Sequence, residues 1–257
     1  ASSSCRHISA AVRAVVDHPM EVAEAADALW DAARDGRVES VRALIEAGAN
    51  VDKARTDRGT TPCWAAAAEG HVEVVKALIE AKADVDKART DDGATPCWVA
   101  AAEGHVEVVK ALIEAKADVD KARTDDRSTP CWVAAQMGHV EVVKALIEVG
   151  ADVDKAATDD GSTPCWIAAA EGHVEVVKAL IKAGADVDKA TTYDGSTPCL
   201  IAADKGHVEV VKALIEAKAD VDKASTYDGD TPCWVAAGKG HVEVVKALIE
   251  AKADVDK

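Results

Sequence analysis

Cysteine, histidine and aspartate recur along this chain at regular places, and each type has chemistry open to it. A thiol beside an imidazole can become a nucleophile, and clustered Cys and His ligands can hold zinc. The sequence has no CxxC and no His/Cys pair at ligand spacing. It also lacks HExxH, GxSxG and a glycine-rich phosphate loop, the local signatures of metalloproteases, hydrolases and nucleotide enzymes. The loop aspartates Asp84, Asp86, Asp91 and Asp92 suggest calcium, but they lack DxDxDG spacing and the distant bidentate glutamate; solvated acidic tips are the simpler expectation. What these residues share is a period. His71, His105, His139, His173, His207 and His241 stand 34 residues apart, and so do Cys63, Cys97, Cys131, Cys165, Cys199 and Cys233. Residues that repeat in this way read as architecture: the histidines as turn and capping residues, the cysteines as small buried apolar groups. No catalytic constellation and no need for a cofactor emerge, so the chain reads as a non-enzyme.

A period of 34 is the mark of a stacked repeat protein. The unit is TPCWVAAAEGHVEVVKALIEAKADVDKARTDDGA from Thr95, and six copies carry the full pattern. A degenerate copy precedes them, with Leu29-Trp30, Gly36 and VESVRALIEAGANVDK in register. Thr95 is a good N-cap and Pro96 a good first helical residue, because the missing proline N–H is one that a helix leaves unpaired. The pattern predicts a short helix from Pro96 to about Glu103, a turn at Gly104-His105, and a second helix from Val106 to about Ala115. Val108, Val109, Leu112 and Ile113 make the apolar stripe of that second helix. Lys110 and Glu114 are spaced i, i+4 on its wet face. Neither helix is long enough to stand alone. A polar, glycine-bearing loop then projects as a hairpin.

The residue after the second helix is Gly48, Gly150 or Gly184 in three units and Lys82, Lys116, Lys218 or Lys252 in four. A left-handed closing residue suits this site, and lysine there carries strain of about 1 kcal/mol. Residues 3–18 are expected to form either a short helix, ended by Pro19, or a disordered leader. A helix from Glu21 to Arg34 should follow and cover the first repeat, as terminal units of a solenoid require.

The unit TPCWVAAAEGHVEVVKALIEAKADVDK resembles the ankyrin repeat, whose mark is T-P-L-H-x-A at the first helix. The resemblance covers residues 27–257. It implies an all-α ankyrin repeat solenoid of helix-turn-helix units joined by projecting hairpin loops. The expected organisation is a leader and cap over residues 1–26, a capping unit over 27–60, and units over 61–94, 95–128, 129–162, 163–196, 197–230 and 231–257. Asp27 and Ala28 stand where later units have Thr and Pro. Cysteine replaces the usual Leu, and Trp64, Trp98, Trp132, Trp166 and Trp234 replace the usual His, with Leu200 filling that site once. The His/Thr hydrogen-bond network of the family must therefore be altered, and Cys-Trp reads as a volume exchange for Leu-His. Because the tryptophans recur with the period, they are expected in the core.

Net charge is −16, which repels phosphate backbones and anionic membranes and favours solubility and monomeric behaviour. No run of 18 apolar residues is present, and unpaired cysteines suit a reducing, cytoplasmic setting. The opening ASSSCRH reads as processed or trimmed. The resemblance implies binding to another protein through hairpin tips and the exposed side of the first helices. Positions that differ between copies point to the same surface: Arg55, Arg89 and Arg123, Arg127 in place of a loop glycine, Tyr193 and Tyr227, and Glu103, Gln136, Met137, Asp204, Lys205 and Lys239 at the ends of first helices. The last unit has no polar closing helix, which leaves an apolar end open to end-to-end contacts. The alternative is an artificial, consensus-like array with no natural ligand, since GHVEVVKALI is identical in six copies; a structural spacer is a third reading.

Overall fold

Each Thr-Pro pair starts a helix in the computed structural model, which describes residues 22–157 and 160–256. The helix expected over 3–18 and the thiol of Cys5 lie outside these residues. The chain divides into two compact units, Ala1–Thr124 and Asp125–Lys257.

The first unit contains α1 (Val22–Arg34), α2 (Val38–Glu46), α3 (Pro62–Ala68), α4 (Val72–Glu80), α5 (Pro96–Ala102) and α6 (Val106–Glu114). The helices α1, α3 and α5 stack in one layer, and α2, α4 and α6 in another. The second unit contains α7 (Pro130–Gln136), α8 (Val140–Glu148), α9 (Pro164–Glu171), α10 (Val174–Lys182), α11 (Pro198–Lys205), α12 (Val208–Glu216), α13 (Pro232–Gly238) and α14 (Val242–Glu250). Its layers are α7, α9, α11, α13 and α8, α10, α12, α14. Both units are all-α stacks of helix-turn-helix pairs, as the repeat predicts; no strand is assigned among the described residues.

The start of each first helix follows its chemistry. Thr95 Oγ1 accepts a hydrogen bond from the Trp98 amide at 3.1 Å, and Thr163 does the same for Trp166 at 3.1 Å. The first copy has Ala28 instead of proline, so an amide is available there and no ring clashes with the preceding turn. Helix α1 accordingly runs through Asp27 and Ala28 from Val22.

The second helices bury Val108, Val109, Ala111 and Leu112 in α6, and the same pattern in α8. The expected stripe included Ile113, which is only half-buried; Ala111 takes its place because small residues allow the layers to approach closely. Ion pairs on the second helices also run i, i+3. Lys110 Nζ lies 2.8 Å from Glu107, and Lys178 Nζ lies 3.0 Å from Glu175. Helical side chains lean toward the N-terminus, so a lysine meets the glutamate a turn before it.

Closing residues are left-handed as the alternation of Gly and Lys predicts. Lys82, Lys116, Lys218 and Lys252 have φ of 62, 63, 66 and 67°, and Gly48, Gly150 and Gly184 have φ of 85, 85 and 90°.

Candidate protein-binding surface

The repeated histidines join neighbouring helix pairs. His105 Nε2 lies 3.1 Å from the carbonyl of Ala68, the last residue of α3. His71 reaches the Arg34 carbonyl at 2.9 Å, and His173 the Gln136 carbonyl at 2.9 Å. A carbonyl only accepts, so each ring carries its proton on Nε2. Each ring therefore caps the orphan carbonyls of the preceding first helix and makes no side-chain cap on its own helix.

The cysteines are sealed in. Cys63, Cys97, Cys131, Cys165 and Cys199 have no exposed surface. Burial, reinforced by nearby aspartates, pushes the Cys63, Cys97, Cys165 and Cys199 thiols up to about 12. A thiol protonated at neutral pH is neither a nucleophile nor a ready metal ligand. No group of three or more His, Cys, Asp or Glu placed to hold a metal occurs among the described residues.

The aspartates are not merely solvated tips. The Asp84 amide donates to Asp52 Oδ1 at 2.9 Å, and the Asp118 amide to Asp86 Oδ1 at 3.0 Å. Lys87 Nζ and Lys121 Nζ donate to the carbonyls of Asp52 and Asp86, each at 2.8 Å. The second unit repeats this ladder, with Asp186 on Asp154 at 3.0 Å and Asp220 on Asp188 at 2.9 Å. Asp92 is buried; its carboxylate takes hydrogen bonds from Arg89 and from the Ala94 amide. Burial pushes Asp92 up, but the Arg89 and Ala94 hydrogen bonds and the charges of Arg89 and Arg123 outweigh it and hold the group below the usual carboxylate range.

The tryptophans are corrected in part. Trp132 is buried, but Trp30, Trp64, Trp98 and Trp166 are half-buried and Trp234 is 58% exposed. They stand at the margin of the first-helix layer, where the indole N–H takes over the cross-repeat bonding that the resemblance assigned to histidine. Trp30 Nε1 donates to Thr60 Oγ1 and Trp64 Nε1 to the Ala94 carbonyl, both at 3.1 Å. In the second unit Trp132 Nε1 donates to the Ser162 carbonyl at 3.2 Å and Trp166 Nε1 to Ser196 Oγ at 3.3 Å.

The loop arginines of the first unit cover these rings. Arg55 sits 4.4 Å from the Trp30 ring centre, Arg89 5.1 Å from Trp64 and Arg123 4.6 Å from Trp98, each a cation–π contact of about 0.5–2 kcal/mol. Their counter-ions are Asp31 and Asp57 for Arg55, Asp91 and Asp92 for Arg89, and Asp92 for Arg123. In the second unit Ala157, Thr191 and Ser225 occupy this position. The Thr191 hydroxyl lies 2.5 Å from Asp194 Oδ1 in place of the guanidinium.

The remaining predicted positions are distributed as follows. Glu103 and Met137 are the closing residues of α5 and α7; Glu103 is exposed and Met137 is 51% exposed. Gln136 is half-buried at the end of α7. Asp204 and Lys205 end α11, and Lys239 closes α13; the structure brings these three together, with Lys239 Nζ 2.7 Å and Lys205 Nζ 4.0 Å from the Asp204 carboxylate. Arg127, Tyr193 and Tyr227 occupy loop tips. Arg127 is exposed with φ of 57°, and the tyrosines are 81% and 78% exposed. Within a unit successive tips are hydrogen-bonded, the Thr124 amide donating to the Asp92 carbonyl at 2.8 Å and the Thr226 amide to the Asp194 carbonyl at 2.7 Å. Sequence reasoning passed over Arg34, Arg58 and Ala65, which line a cleft with Trp30, Arg55 and Trp64. Comparing the first loop and the helices flanking it with their later counterparts, column by column, would have found them.

Comparisons with known proteins agree with this architecture. The family model described as "Ankyrin repeats (3 copies)" matches residues 29–123, 119–191 and 184–257. Among solved structures the chain is similar to the human ASB11 ankyrin repeat domain, at 28% identity and a TM-score of 0.76, with 88% of this chain and 98% of that one covered. It is also similar to the ankyrin repeat domain of Bcl-3, a member of the IkappaB protein family, at 25% identity and a TM-score of 0.76, covering 86% and 97%. A search of curated proteins found no match. No helix among the described residues is long and apolar enough to cross a membrane. With capped helix pairs stacked in two layers, inert thiols and pinned imidazoles, the chain belongs to the ankyrin-repeat family, whose stacks are non-catalytic protein-binding scaffolds.

Proposed function

We propose that this scaffold engages a partner protein through its hairpin tips and the exposed ends of its first helices. The observation that carries this reading is the exposure of Tyr193 and Tyr227, at 81% and 78%, on loop tips where earlier copies carry Asp57, Asp91 and Asp125. Aromatic and methionine side chains are enriched in the contact cores of interfaces, and Met137 is half-exposed as well. In the second unit Arg127, Gln136, Asp204, Lys205 and Lys239 are the polar positions of the proposed surface, and in the first unit Arg55, Arg89, Glu103 and Arg123 are.

Full-length chain, immobilised beside a variant carrying Arg127→Gly, Met137→Glu, Tyr193→Asp and Tyr227→Asp, tests the reading by capture from lysate with identification of bound proteins. A specific partner held by the original and lost by the variant is the expected result. Equal retention by both places binding elsewhere. A second reading, a consensus-like array with no natural ligand, draws on the identity of GHVEVVKALI in six copies; it expects neither bait to hold anything specific. Monomeric behaviour in a reducing, cytoplasmic setting accompanies the scaffold reading. Trp234, Val242 and Ile249, each more than half exposed on the last helix pair, are the surface through which end-to-end association would show as a rise of mass with concentration.

A further inference from the structure

The first loop and its surroundings depart from the repeat at three positions, and all three meet at one cleft. Arg58 stands where later loops carry Asp92, Asp126, Asp160, Asp194 and Asp228. Ala65 stands where later first helices carry Val99, Val133, Ile167, Ile201 and Val235. Arg34 stands where they carry Ala68, Ala102, Gln136, Ala170, Asp204 and Gly238. With Trp30, Arg55 and Trp64 these residues line a cavity of about 240 Å³.

The aspartate of the later loops is an internal counter-ion and cap. Asp92 neutralises Arg89 and reaches Arg123 at 3.5 Å. Asp126 and Asp160 accept the Ser128 and Ser162 amides at 3.0 and 2.9 Å. At Arg58 that carboxylate is absent and a guanidinium takes its position. Arg55 is left with Asp31 at 3.7 Å and Asp57 at 3.3 Å, both about half exposed. No ion pair of the Arg58 side chain is found among the described residues. Alanine at 65 also withdraws a branched side chain from the cleft wall. The same local substitutions therefore open space and reverse charge, in a chain whose net charge is −16.

Guanidinium groups match a carboxylate in planar, two-pronged hydrogen bonds, and indole and alanine suit a short methylene stem. Arg34 already holds Asp35 through Nε and a terminal guanidinium nitrogen, each at 2.8 Å, and lies over the Trp30 ring at 5.4 Å, so it walls the cleft while Arg58 is the guanidinium left to receive a ligand. We propose that this cleft binds a glutamate side chain of an acidic segment in a partner protein, with the carboxylate on Arg58 beside Arg55 and the stem against Trp64 and Ala65. The proposal rests on the protein-binding reading and gives the first unit a partner class. Asp57 and Glu69 also line the cleft. Their charge favours a monoanionic carboxylate over a phosphate dianion.

The test uses the full chain and the blocked peptide acetyl-Ala-Leu-Glu-Leu-Ala-amide, with its glutamine and phosphoserine counterparts. Indole N–H signals of Trp30 and Trp64 and the arginine Nε–H signals report the cleft by NMR. Saturable shifts at about 1 mM peptide are expected with glutamate and none with glutamine. Arg58→Asp and Ala65→Val each install the residue type that other copies carry, so the fold is retained, and each should weaken binding about tenfold. Shifts of equal size with the glutamine peptide, undiminished binding by both variants, or tighter binding of the phosphoserine peptide would overturn the proposal. Failure of the scaffold reading looks different: no partner is captured by the full chain. A captured partner that both cleft variants still hold, with no glutamate-dependent shift, keeps the scaffold and removes this site.

Discussion

Four lysines close second helices in a conformation that their Cβ atoms resist. Lys82, Lys116, Lys218 and Lys252 hold φ between 62 and 67°, where an L side chain costs about 1–2 kcal/mol. Glycine removes that strain but gives the unfolded chain more freedom, an offset of about 0.5–1 kcal/mol. Side-chain packing does not enter the balance: a Cβ built at Gly48, Gly150 or Gly184 meets no atom within 4 Å. Lys116→Gly should therefore stabilise by about 0.5–1 kcal/mol. Replacing all four should give about 2–4 kcal/mol, because sites a full repeat apart act independently. In urea, with a slope of about 3 kcal/mol per molar for a chain of this size, the fourfold variant's midpoint should rise by about 1 M. The assay is far-UV circular dichroism at moderate salt, which screens the added negative charge. Lys116→Ala is the control, since it removes the ammonium but keeps the left-handed Cβ, and it should gain nothing. A fourfold variant with an unchanged or lower midpoint refutes the reasoning. So does an alanine variant that gains as much as glycine, because the effect would then belong to charge.

Two further outcomes follow from the buried thiols and the indole bridges. Below about pH 9 the thiols are protonated in both folded and unfolded chains and their contribution to stability is whole. Above it the unfolded thiols ionise while Cys63, Cys97, Cys165 and Cys199 keep their protons up to about 12. Stability should thus fall as pH rises, by up to about 1.4 kcal/mol per pH unit for each thiol. Cys97→Ala should flatten the decline between pH 9 and 11 in denaturant titrations, and a parallel profile contradicts the assignment. Trp166→Phe removes the indole N–H that bridges to Ser196 Oγ at 3.3 Å and should cost about 1 kcal/mol. Trp234→Phe, at a ring 58% exposed, should cost much less by the same measurement.

Contacts within a helix pair were legible in the sequence, and contacts between pairs were not. Thr95-Pro96 announces where α5 starts, and the alternation of Gly and Lys after the second helices announces a left-handed close, because both are decided by a residue and its immediate neighbours. The family and its all-α stack follow from the period for the same reason. The second group of contacts runs between repeats, at separations set by the period plus an offset. His105 reaches back to Ala68, Asp84 to Asp52, and Arg123 to the ring of Trp98. A perfect repeat shows that such residues recur but not which neighbour each one faces. Arg55, Arg89 and Arg123 therefore read as free loop cations from sequence, whereas in the structure they roof tryptophans and answer to aspartates. That distinction changes what variation means. In the second unit the loss of arginine at Thr191 and Ser225 exchanges one internal support for another, the hydroxyls bonding within their own loops. At Arg58, by contrast, a support is removed and no ion pair among the described residues replaces it. A position whose departure from the repeat leaves charge without an internal partner is a stronger mark of binding than one whose departure is absorbed by its neighbours. By that criterion the first loop outranks Arg89 and Arg123, which sequence variation had placed beside it.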